Sequence, residues 1–213
     1  MNCDEIKKRA KEFAFKNKGD IWKPLLCIYA VILVVSFALG FILGFLNFKN
    51  ENVMDLLTYI IDFALLPASI GYIYYLMNLI KGKKLDIKEA LLSKYSLWVL
   101  IIITMVMVSL FTTLWSLLLI VPGIIYSLKT VMVQYILAEA DNTVNYKDVI
   151  NRSKQMMEGH KWEYVVFNFK FIGWILLGIV TLGIAYIWVY PYITISNLMY
   201  YEELKKLTFE GNK

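Results

Sequence analysis

Long apolar runs separated by short lysine-rich segments are the dominant pattern along this chain. The runs cover residues 24–46, 53–80, 97–121 and 124–139, and a last pair is packed into 159–204. That pair opens on a basic edge (Gly159, His160, Lys161, Trp162) and continues apolar to Thr181. It turns at Gly183 and ends at Glu202 and Glu203. About twenty apolar residues cross a hydrocarbon core of about 30 Å as a helix, so the pattern predicts six transmembrane helices. The alternation of apolar and polar positions that marks a transmembrane barrel is not seen. The expected fold is all-α: a polytopic membrane protein, one membrane domain over 1–213, with its six helices arranged as three hairpins.

Each hairpin is preceded by a segment of different character. In 1–23, Ile6, Ala10, Phe13 and Ala14 recur at helical spacing among basic residues, which predicts an amphipathic helix on the cytoplasmic membrane surface. Residues 86–95 and 141–159 read the same way. In the latter, Val149, Ile150, Met156 and Met157 form the apolar side and Gly159 the stop. Pro24 is expected to open the first span, where a proline costs little. Ser36, Gly40 and Gly44 follow at four-residue intervals, a spacing that lets another helix approach closely, inside the molecule or in a homodimer. Pro67 predicts a kink or tilt in the second span. Pro122 and Gly123 predict the turn between the third and fourth.

The segments repeat. Residues 85–91 match 144–150 position by position in kind. Ile120, Gly123, Ile124 and Tyr126 recur as Val180, Gly183, Ile184 and Tyr186. Arg9, Lys11, Gly19 and Trp22 have weaker counterparts in Arg152, Lys154, Gly159 and Trp162. The unit of surface helix, span, turn and span is thus expected three times, at roughly 1–80, 81–140 and 141–213.

Composition sharpens the class. The 213 residues are 59% hydrophobic and 18% charged, against about half and about a quarter in a soluble domain. Of the 22 Lys and Arg, 19 fall in the surface segments and the tail, and only Lys49 falls on the opposite side. By the positive-inside rule both termini are expected in the cytoplasm, with the basic segments drawn to anionic lipid rather than to nucleic acid. The first run is too long for a signal-peptide core and lacks a cleavage pattern, so it reads as a retained span. Cys3 and Cys27 form no disulfide or metal-ligand pattern.

Three ionisable residues lie inside apolar runs: Asp62, Lys129 and Lys170. Unpaired, each would cost about 2.5–3.5 kcal/mol at a span centre. Counting helical rise from the expected membrane faces places Asp62 and Lys170 about one turn apart in depth. An Asp62–Lys170 pair is therefore expected, with Lys129 nearer the outer face and Gln134 or Asn168 as auxiliary partners. The pair could fix helix order, hold a charged or amphiphilic ligand, or couple to protons or ions. Near the C-terminus, Pro191 interrupts an aromatic-rich helix at Tyr192, which reads as a packed kink or as a groove, with Pro67 a second candidate kink. His160 reads as a headgroup contact. No nucleophile, phosphate-binding or metal-ligand motif is present, so no catalytic, cofactor or metal residue is assigned.

Met157, Gly159, Lys161, Phe171-Ile172-Gly173-Trp174, Thr181, Gly183-Ile184, Trp188, Pro191-Tyr192 and Tyr200-Tyr201 resemble a known family. It is the group of bacterial integral membrane proteins catalogued as domain of unknown function 975. A looser similarity extends to the membrane portion of some bacterial glycerophosphodiester phosphodiesterases, whose chemistry sits in a soluble domain that these residues do not contain. The resemblance implies a multi-pass protein of the bacterial cytoplasmic membrane with six spans, and it implies no activity. Where that family carries a small polar residue before Phe-Ile-Gly-Trp, this chain has Lys170. The expected function is non-enzymatic: binding, moving or neutralising an amphiphile such as a lipid or membrane-active peptide. The alternative is an accessory or scaffolding subunit docking a cytoplasmic protein partner, and a membrane-embedded enzyme is the third reading.

Overall fold

The amphipathic N-terminal segment folds as expected. In helix α1 (Cys3–Lys16) the Asn2 side chain accepts from the Glu5 amide, Asp4 and Glu5 occupy the first turn and Lys16 the last. Each complements an open helix end. The computed structural model describes residues 2–45, 51–183 and 185–210, without the side chains of 44, 51–55, 62, 187 and 210. These residues are helical, with turns between helices and no strand. They divide into two compact units, Gly19–Trp98 and a larger one of Met1–Lys18 with Val99–Lys213.

The Gly19–Trp98 unit holds α2 (Lys18–Phe45), α3 (Glu51–Ile80), the short α4 (Ile87–Leu92) and a tight turn, Ser93–Leu97. Helix α2 restarts directly after Asn17, so Pro24 lies inside it rather than at its opening. Ser36 and Gly40 are exposed, and nothing would lie within 4 Å of a Cβ at Gly40. The close helix approach expected there is not made at Ser36 or Gly40 among the described residues of this unit, and the surroundings of Gly44 lie outside them. Helix α3 runs unbroken through Pro67, and Tyr95 Oη donates to the Ala64 carbonyl nearby. Helix α4 starts where Asp86 accepts from the Glu89 amide. It packs on α3 at Gly71, where a Cβ would stand 2.6 Å from the Leu91 carbonyl oxygen.

In the larger unit α1 is joined by α5 (Trp98–Leu118), α6 (Ile120–Thr130), α7 (Val133–Glu139) and α8 (Tyr146–Met156). It is completed by α9 (Lys161–Phe169), α10 (Ile172–Val180) and α11 (Tyr186–Lys205). Two predicted spans are broken. The fourth splits into α6 and α7 at Val131–Met132, the fifth into α9 and α10 at Lys170–Phe171. The turn expected at Pro122–Gly123 comes earlier, at Leu119, whose extended backbone (φ −157°, ψ 137°) starts α6 at Ile120. Pro122 then falls in the first turn of α6, where its missing amide costs little.

Helix α11 forms the core of this unit. Ile195, Leu198, Tyr200, Tyr201 and Leu204 are buried on it. Tyr200 packs against Phe167 at 4.9 Å and Tyr164 at 5.3 Å, and Tyr201 stacks on Tyr135 at 5.3 Å. Five segments among the described residues are long and apolar enough to cross a membrane: Lys18–Leu43, Leu56–Ile80, Ile87–Leu118, Ile120–Glu139 and Lys161–Val180. Helix α11, the expected sixth, is not among them. Its five tyrosines, Asn197 and two glutamates lower its hydropathy, and its C-terminal half faces protein.

Candidate functional site

Both breaks are closed by an amphipathic helix, and these closures build the site. At the first, Ser153 of α8 is fully buried. Its hydroxyl donates to the Lys129 carbonyl at 2.9 Å and accepts from the Met132 amide at 3.2 Å. A break in a helix frees carbonyl and amide groups that must be paired when buried, and one serine serves both sides.

At the second break, α1 takes the same part with charged groups. Lys7 Nζ donates to the Lys170 carbonyl at 3.1 Å and stands 4.7 Å from the Phe171 ring centroid. Lys170 Nζ reaches back to Asp4 Oδ1 at 2.5 Å. That hydrogen bond, and the charge of Lys170, hold the Asp4 carboxyl below its ordinary range. Burial, then the neighbouring Lys170 ammonium, lowers Lys7. Burial, then the Glu163 carboxylate, raises the Cys3 thiol. Cys3 Sγ lies 3.9 Å from Glu163 Oε1, and His160 Nδ1 lies 3.0 Å from Glu163 Oε2.

Beside the first break, α5, α6 and α8 enclose an open groove of about 460 Å³, lined by Phe111, Trp115, Pro122, Ile125, Tyr126, Lys129 and Lys154. Five of these residues are apolar or aromatic and the two charged ones are both lysines. Lys154 Nζ sits 5.4 Å from the Tyr126 ring centroid, within cation–π reach, and Phe111 lies against the same ring at 6.0 Å. The volume falls in the range of small-ligand sites, about 300–1,000 Å³. An apolar trough with two ammonium groups suits a molecule that is anionic at one end and hydrocarbon at the other.

Of the five residues expected to form one intramembrane site, four have described side chains. Lys170 is paired with Asp4, and the side chain of its expected partner Asp62 lies outside the described residues. Lys129 lines the groove. Asn168 donates to the carbonyl of Tyr164 one turn back on its own helix, at 3.0 Å. Gln134 is half-buried on α7. Pro191 is buried within α11, and Tyr192 packs edge-on against Phe171 at 5.4 Å and Trp174 at 6.0 Å.

Sequence reasoning did not single out Asp4, Lys7, Ser153 or Lys154 as site residues. The available signal was the weak match of Arg9-Ala10-Lys11 to Arg152-Ser153-Lys154. Ala10 and Ser153 are both fully buried, each on the inward side of its own helix. Among the described residues no cluster of three or more His, Cys, Asp or Glu could hold a metal ion. No curated protein and no solved structure matches the chain. A family model described as a protein of unknown function (DUF975) matches residues 117–208, so the part of the chain holding α6 to α11 is similar to that family.

Proposed function

We propose that this protein is a non-enzymatic membrane protein that binds an anionic amphiphile in the groove between α5, α6 and α8. The observation that carries the reading is the pairing of Lys129 and Lys154 with walls of Phe111, Trp115, Ile125 and Tyr126. The anionic headgroup lies between the two ammonium groups and the acyl chain along the aromatic wall. Binding of this kind needs no bond making. The protein resides in a bacterial cytoplasmic membrane with both termini inside. The one-sided placement of Lys and Arg supports that orientation.

Native mass spectrometry of protein released from micelles of mixed phosphatidylglycerol and phosphatidylcholine tests this. Wild-type protein retains phosphatidylglycerol preferentially. A basic residue near the bilayer surface contributes about 1 kcal/mol toward anionic lipid, so the double change Lys129→Gln with Lys154→Gln weakens retention by about tenfold or more. The Lys129→Arg with Lys154→Arg protein keeps the preference. Equal retention of the anionic lipid by wild type and the Gln variant rules the groove out.

A further inference from the structure

We infer that the turn joining α10 to α11 rests among the acyl chains of the bilayer and does not emerge into water. Its residues are apolar and outward: Val180 is 80% exposed and Leu182 95%. No charged residue occurs from 171 to 201, whereas the predicted link of the first hairpin carries Lys49 and Glu51.

The described amides of the turn are paired as hydrocarbon requires, since a lipid-exposed amide has no water to pair with. Every described amide from Thr181 to Tyr186 has an acceptor within the turn. Thr181 donates to Leu177, Leu182 to Ile179, Gly183 to Gly178 and Tyr186 to Gly183, at 2.8–3.1 Å. Ala185 donates to Thr181 Oγ1 at 3.0 Å, and that same hydroxyl donates to the Leu177 carbonyl at 2.8 Å. The single polar side chain of the turn is thus folded inward. Tyr186 behaves alike, with its hydroxyl directed to the Ile175 carbonyl at 3.3 Å and its ring over Gly178.

Leu182 supplies an independent argument. Its φ is +50°, a conformation that favours Gly or Asn and disfavours a branched side chain. In water, Asn at this place would remove strain and hydrate the turn. A leucine there carries the strain and also presents its whole side chain outward, which suits a site surrounded by hydrocarbon.

The test uses full-length protein in native membranes with Cys3 and Cys27 changed to Ser, carrying Leu182→Cys or, separately, Val180→Cys. A membrane-impermeant maleimide labels either cysteine at less than about one-tenth of the extent reached after denaturation. A permeant environment-sensitive probe at the same site emits as in an apolar medium and is quenched by lipids spin-labelled on the acyl chain. Labelling by the impermeant reagent to the denatured extent, or emission as in water, overturns the inference. The sign of Leu182→Asn is a second readout: melting temperature in bilayer nanodiscs falls if the turn is in hydrocarbon and rises if it is hydrated.

Discussion

Ser153 is one hydroxyl in a buried place, and its role follows from counting backbone partners. Changing it to Ala leaves the Lys129 carbonyl and Met132 amide without their partner. The expected loss is about 1–3 kcal/mol, read as a lower melting temperature in detergent and faster hydrogen exchange at Met132. Asp4 makes a different prediction because it titrates. Its carboxyl is held below the ordinary value by Lys170, so its contribution is complete above about pH 4 and is lost as the pH falls through the lowered value. Hydrogen exchange of α1, corrected for intrinsic rates, should be unchanged between about pH 7 and pH 5 and should increase below about pH 4. Asp4→Asn should abolish that acid step. Protection that declines steadily from pH 7 in wild type would assign the docking of α1 to other groups. Lys170 was legible as an ionisable residue in an apolar run. Its partner was not, because Asp4 lies 166 residues away in sequence on a helix that reads as merely surface-bound.

At the scale of elements, the apolar runs gave the helices and misplaced their interruptions. Residues 130–132 and 170–171 contain no Gly or Pro, the usual causes of a break. These breaks exist because α8 and α1 bring donors and acceptors to them, and periodicity carries no trace of that. At Pro24 and Pro67 the converse holds: a residue that often breaks a helix is present and the helix continues. Contact between elements also sets what a glycine tolerates. A Cβ at Gly71 would meet the Ala90 and Leu91 carbonyl oxygens at 2.8 and 2.6 Å, and backbone cannot step aside as a side-chain tip can. Gly71→Ala should therefore cost about 1–3 kcal/mol as overpacking, whereas Gly40→Ala, with open space around it, should be neutral or slightly stabilising. Equal thermal stability of the two variants would mean that α4 can shift away from α3.

For the whole molecule, the asymmetry of basic residues makes a prediction that needs no coordinates. A cysteine placed at Asn50 should react with an impermeant thiol reagent in intact cells, and one at Ser93 should not. The opposite result would invert the protein in its membrane. What the sequence determined alone is the solvent: apolar runs read as six spans, five of which form helices long and apolar enough to cross a bilayer, with amphipathic helices beside them. These are local properties, set by hydropathy and helical period within some twenty residues. Only the tertiary structure decided where helices break, that Lys170 meets Asp4, and that Lys129 and Lys154 line one aromatic groove. Each of those depends on groups far apart in the chain meeting in space, and at the first break, where Ser153 is fully buried, water is excluded as well. There a buried carbonyl, amide or ammonium must find a partner in space, and its neighbours in sequence do not reveal which.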